Sequence, residues 1–143
     1  MFLILMNYFQ VMTIKRLLAH NNFYLFLALS WTTLVFLLCL VGAGDLPSLD
    51  IKVSGLDKLV HLTFHFVFVL LWFLYLNNKN IKPVLLITFL GSFGFGILIE
   101  VCQSLFTTTR QADVLDVLAN ATGAFTAILI LFLYHKFFKK DIL

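Results

Sequence analysis

Four stretches of the chain are apolar almost without interruption, and the polar residues collect at their ends instead of alternating along them. Residues 23–41 read FYLFLALSWTTLVFLLCLV, with no charged side chain. Residues 59–76, LVHLTFHFVFVLLWFLYL, are broken only by His61 and His65. Residues 84–106 and 114–134 are two further runs, whose single charged members are Glu100 and Asp116. About 20 residues of helix cross a hydrocarbon layer roughly 30 Å thick. Continuous runs of this length therefore predict transmembrane helices, where period-2 alternation would have predicted half-buried strands. The connections at 77–83 and 107–113 are short and the one at 42–58 is of medium length, and short connections make neighbouring helices antiparallel. The expected fold is an all-α membrane protein: four transmembrane helices in an antiparallel bundle.

The pattern also divides the chain. Residues 1–22 read as an N-terminal interfacial or cytoplasmic segment, 23–134 as the four-helix transmembrane domain, and 135–143 as a basic cytoplasmic tail. The opening MFLILMNYFQV is apolar but too short to span, and it lacks the basic region that precedes the apolar core of a signal peptide. No linker, 20–50-residue repeat or low-complexity tract is visible.

Composition agrees: 62% of residues are hydrophobic and 12% charged, with a mean hydropathy of +1.02, against about 25% charged in soluble domains. Charge then sets the orientation. With both termini inside (N-in/C-in), Lys15, Arg16, Lys79, Lys82, Lys136, Lys139 and Lys140 face the cytoplasm. Only Lys52, Lys58 and Arg110 lie outside, as the positive-inside rule favours. The net charge of +3 reflects that asymmetry, so no nucleic-acid partner is expected; the expected partners are membrane lipids.

In this orientation polar residues from three segments reach the outer surface at one depth. Asp57, Lys58, His61 and His65 open the second span; Glu100 and Gln103 close the third; Asp113, Asp116 and Asn120 open the fourth. Asp57, His61 and His65 recur at i, i+4 and i+8 on one helix face, with Lys58 about 100° away from Asp57 and able to snorkel to the surface. Ser92, Gly96, Glu100 and Gln103 form one stripe of the third span, and Asp113, Asp116, Asn120, Gly123 and Ala127 one stripe of the fourth. Small residues repeated at this spacing let helices approach closely in lipid, so the polar groups should point into the bundle. A charge at the bilayer centre costs about 2.5–3.5 kcal/mol, so these groups persist only if paired or wet. Lys58 and Arg110 are the available cations, set against Asp57, Glu100, Asp113 and Asp116.

Each residue also has a plain structural reading. Glu100 and Gln103 can serve as interhelical hydrogen-bond groups, Asp113 as an N-cap, and Asn120 as a cross-helix amide. His61 and His65, at i and i+4, have the spacing that metal-binding helices use, and with Glu100 or Asp116 they are candidate ligands of a divalent ion; packing is the stronger reading of His65. No metal and no other cofactor is expected. Trp31 reads as packing and Trp72 as a belt residue. Cys39 and Cys102, 63 residues apart, form no CxxC or Cys/His cluster and read as free thiols. Walker, dinucleotide and GxSxG motifs are missing, so nothing supports nucleotide or serine-hydrolase chemistry.

The polar spacings resemble a known family. Asp57-Lys58-x-x-His61 at the mouth of a span is similar to the DKxxHF/L-type motif of VanZ-like membrane proteins. Glu100-x-x-Gln103, then Arg110-x-x-Asp113-x-x-Asp116-x-x-x-Asn120-x-x-Gly123, resembles that family's second signature. The resemblance covers roughly residues 30–133. His65 departs from it, standing where the family commonly has tyrosine. The family is named for a factor of low-level teicoplanin resistance, and the resemblance implies a multi-pass protein of a bacterial inner membrane. Two functions remain open on it. One is an outward-facing pocket that binds a lipid headgroup, a lipid-linked cell-wall precursor or a lipoglycopeptide, lined by Asp57, Lys58, His61, Glu100, Gln103, Arg110, Asp113, Asp116 and Asn120. The other is an intramembrane enzyme on a lipid-linked anionic substrate, with Glu100, Asp116 and His61 as its catalytic candidates.

Overall fold

The computed structural model describes residues 2–40, 55–106 and 113–138, with side chains from residue 20 onward. The described residues form four helices: α1 (Phe2–Leu40), α2 (Leu56–Asn78), α3 (Val84–Phe106) and α4 (Val114–Phe138). All four are long and apolar enough to cross a membrane, α1 through His20–Leu40. Helix α1 continues back to Phe2, so helical backbone runs through the stretch that the sequence pattern sets apart as an N-terminal segment. Gly55 precedes α2 at φ 83°, a left-handed conformation that costs glycine nothing because it has no Cβ.

Helix α2 is the centre of the assembly. It packs against α1, α3 and α4, most extensively against α4, whereas α1 meets α2 and α3 but not α4 among the described residues. Lipid tails are as apolar as leucine, so helices gain little from hiding apolar surface from one another and depend on close packing and hydrogen bonds. Both are present. Phe68, Val69, Ala124 and Ala127 form one buried cluster between α2 and α4, and Phe68 stacks on Phe95 of α3 at 5.2 Å between centroids. Val35, Cys39 and Ile99 form a second cluster between α1 and α3.

Gly123 shows why α2 and α4 can lie so close. A Cβ there would be driven into the Leu62 carbonyl oxygen, with the carbonyl carbon at 2.8 Å and Cα at 3.0 Å. The small-residue stripe of α4 thus admits the backbone of α2. Outward, Phe26, Leu37, Leu90, Leu129 and Ile130 are exposed, as residues bathed in acyl chains should be.

The two tryptophans hold α1 to α2. Trp31 Nε1 donates to the Phe64 carbonyl at 3.0 Å, and Trp72 Nε1 donates to Thr32 Oγ1 at 3.1 Å. Trp72 therefore does more than anchor a belt, because an indole N–H in an apolar setting needs an acceptor and α1 supplies one. Cys39 is buried between α1 and α3, and Cys102 is a partly buried free thiol.

Candidate functional site

The beginning of α2, the end of α3 and the beginning of α4 come together at one end of the bundle. Asp113 builds the last of these. Its Oδ1 accepts the Leu115 amide at 2.8 Å, the N-cap bond that satisfies an otherwise orphaned helix donor. That amide, with Lys58 beside it, holds the Asp113 carboxyl below its ordinary value of 3.8. The Asp113 backbone N–H in turn donates to Glu100 Oε2 at 3.1 Å, joining α4 to α3.

Lys58 supplies a second set of ties. Its Nζ lies 2.7 Å from Asp57 Oδ2, 3.2 Å from Asp113 Oδ2 and 3.2 Å from Asp116 Oδ1. The Asp57 side chain is 56% exposed and that of Asp113 42%, against 15% for Asp116. Solvent weakens the first two contacts more than the third, so the Lys58–Asp116 pair is the strongest link between α2 and α4 in this set. Helical geometry leaves Lys58 free to reach the surface, and charge makes it a counter-ion for the acidic residues. Its ammonium takes three carboxylates at once, because the capped start of α4 brings two of them within its reach.

One turn deeper, His61 is buried. Its Nδ1 is 3.1 Å from Asn120 Oδ1 and its Nε2 is 3.8 Å from Asp116 Oδ2. Glu100, 4% exposed, joins this group. One ligand atom from each of His61, Glu100 and Asp116 lies within 4.8 Å of the others. Glu100 Oε1 and Asn120 Nδ2 are buried with no hydrogen-bond partner. Acid–base exchange, headgroup hydrogen bonding and cation binding are all within the chemistry of such a set.

Other residues of the sequence-derived set fall elsewhere. Gln103 donates from Nε2 to the Cys39 carbonyl at 2.7 Å, tying α3 to α1. His65 pairs through Nδ1 with Ser92 Oγ at 2.8 Å and is not in the group with Glu100 and Asp116. A full helical turn along α2 carries its ring from the level of Glu100 to that of Ser92 on α3. Arg110 lies outside the described residues. The sequence did not signal the backbone partners, namely the Asp113 amide and the Leu62 and Cys39 carbonyls, since side-chain patterns carry no mark of them.

Comparison with known proteins bears on this geometry. No curated protein and no solved structure gives a match to the chain. A family model described as VanZ/LLP1 matches residues 1–135, a range that takes in every residue of the cluster. Four helices among the described residues are long and apolar enough to cross a membrane, and the chain belongs to the VanZ/LLP1 family as a multi-pass membrane protein.

Proposed function

We propose that the cluster at the joined ends of α2, α3 and α4 is an outward-facing pocket for the polar headgroup of a membrane lipid or lipid-linked cell-wall precursor. The membrane would be a bacterial inner membrane, crossed by an antiparallel bundle with both termini inside. The observation that carries the reading is the burial of Glu100 with one carboxylate oxygen unpartnered, beside His61 and Asp116. An intramembrane carboxylate marks a functional site by default. One that served only to hold helices together would use both oxygens, since an unsatisfied charged acceptor in low dielectric is costly. Lys58, with its three carboxylate contacts, supplies the one described cation at the rim. In the cell, masking or sequestering such a headgroup would reduce the action of a lipoglycopeptide of the teicoplanin type.

The direct test is native mass spectrometry of the full chain released from detergent in the presence of a polyprenyl phosphate or of phosphatidylglycerol. Retention of one of these lipids, weakened in Glu100→Gln and Lys58→Met, is expected. Equal retention by wild type and both variants would sink the reading. A second reading, an intramembrane enzyme, is favoured by the unpaired Glu100 oxygen and by His61 Nε2 standing near Asp116. A general base has no isosteric substitute. Under that reading Glu100→Gln abolishes conversion of a bound lipid phosphate while lipid retention falls only in part.

A further inference from the structure

We propose that His61 Nε2, Glu100 and Asp116 hold one first-row divalent metal ion of the Mn²⁺ or Zn²⁺ kind between α2, α3 and α4. One imidazole and two carboxylates converge from three helices with ligand atoms within 4.8 Å of one another. The edge between His61 Nε2 and Asp116 Oδ2 is 3.8 Å, too long for a hydrogen bond. An ion about 2.0–2.2 Å from each donor spans that edge at an angle of about 130° with neither residue moving. Glu100 then closes on it by a side-chain adjustment.

Hydrogen bonding points the same way. The Asn120 amide oxygen lies 3.1 Å from His61 Nδ1, which favours the tautomer with the proton on Nδ1 and leaves Nε2 as the ligating atom. In that tautomer Nε2 and the Asp116 oxygen are two electron-rich atoms that a cation between them would reconcile. Around them, the other polar atom of each residue is already engaged. Nδ1 of His61 pairs with Asn120, Oδ1 of Asp116 with Lys58, and Oε2 of Glu100 with the Asp113 amide. Glu100 Oε1 is left buried and unpartnered. Outer contacts of this kind orient the ligands of metal sites. Charge also favours the ion, since one described ammonium, Lys58, faces four carboxylates in the region: Asp57, Glu100, Asp113 and Asp116.

The donor set selects the ion. Magnesium and calcium prefer all-oxygen sites, and soft ions prefer thiolates, whereas imidazole with carboxylates suits manganese and zinc. Three protein ligands also leave a coordination position open, where a phosphate oxygen of a headgroup could bind. That last extension rests on the headgroup reading; the ion site itself does not.

The test uses the tag-free full chain in detergent, stripped with EDTA and titrated with ZnCl₂ or MnCl₂ alone, with bound metal counted by mass spectrometry. About one ion per chain is expected, with affinity at least tenfold lower in Glu100→Gln and in Asp116→Asn, and unchanged in His20→Gln on the exposed part of α1. If a substitution disturbs folding, zinc-edge X-ray absorption of the wild type carries the test, with one imidazole and otherwise oxygen donors expected. No saturable binding of either ion, affinity untouched by both carboxylate substitutions, or a sulfur ligand from Cys39 or Cys102 would overturn the site. Lipid retention without metal binding overturns the ion site alone. Metal binding without lipid retention upholds it and overturns the headgroup reading.

Discussion

Gly123→Ala is the sharpest perturbation of the packing that assembles the site. The added methyl meets backbone, not a side chain: the Leu62 carbonyl carbon would lie 2.8 Å from the new Cβ and the oxygen closer still. Ordinary contact begins at 3.4 Å, so the carbon must retreat by about 0.6 Å and the oxygen by more, and no rotamer change can absorb that. Overpacking of this kind costs about 1–3 kcal/mol, partly offset by up to about 1 kcal/mol from replacing glycine with a better helix former. Because the clash is with backbone, the upper part of the overpacking range, about 2–3 kcal/mol, applies, and a net loss of about 1–2 kcal/mol follows.

Gly94→Ala is the internal control. Its Cβ would meet nothing within 4 Å, so only the propensity gain applies and the variant should be neutral or up to about 1 kcal/mol more stable. The same chemical change is therefore expected to have opposite signs at two positions. Reversible unfolding in mixed micelles, followed by helicity and tryptophan fluorescence, measures both. Because Leu62 adjoins His61, Gly123→Ala should also lower any metal or lipid binding, which Gly94→Ala should leave alone. A Gly123→Ala protein as stable as wild type would refute the close-approach argument outright.

Other expectations concern single contacts. Gln103→Leu removes the bond to the Cys39 carbonyl and should cost about 0.6 kcal/mol, and no more than about 1.7 kcal/mol, in the same unfolding assay. Lys58→Met should lower the thermal midpoint by stranding Asp116, and adding Asp116→Asn should restore part of the loss; a strictly additive double-mutant cycle would show the pair to be uncoupled. The depressed Asp113 carboxyl sets a pH window. Its folded value lies below the unfolded value near 3.8, so its contribution is complete well above that value and disappears as pH falls through the folded one. Asp113→Asn keeps a capping side chain and should flatten this acid limb of the stability profile; an unchanged limb would assign it to other groups.

The spans and the polar level were legible because a charge in hydrocarbon is expensive enough to leave few places for it. Glu100, Asp116 and His61 could be grouped from depth and helical phase alone. Which neighbour each would choose was less legible. Gln103 shares the stripe of Glu100, yet its amide meets α1, because the stripe fixes a direction around one helix and not the helix that fills it. His65 shares the face of His61 but lies a turn along, where α3 offers Ser92 in place of Glu100. Lys58 could be counted as a counter-charge, but its three simultaneous partners depend on how tightly α4 folds back at Asp113. Gly123 was readable as a small residue at an interface; that its partner is the backbone of α2 follows only from the packed helices.

The way α4 begins has a further consequence. In a capping box the side chain three positions after the capping residue, a glutamate or glutamine, turns back to cover the cap's own N–H. Here that position is Asp116, and the N–H of Asp113 is covered by Glu100 from a different helix. Asp116 is thereby released to look across at α2, and α3 and α4 are latched through a main-chain donor. Changing the side chain at 113 leaves that latch in place, and among the standard residues only proline, which has no amide hydrogen, would delete it.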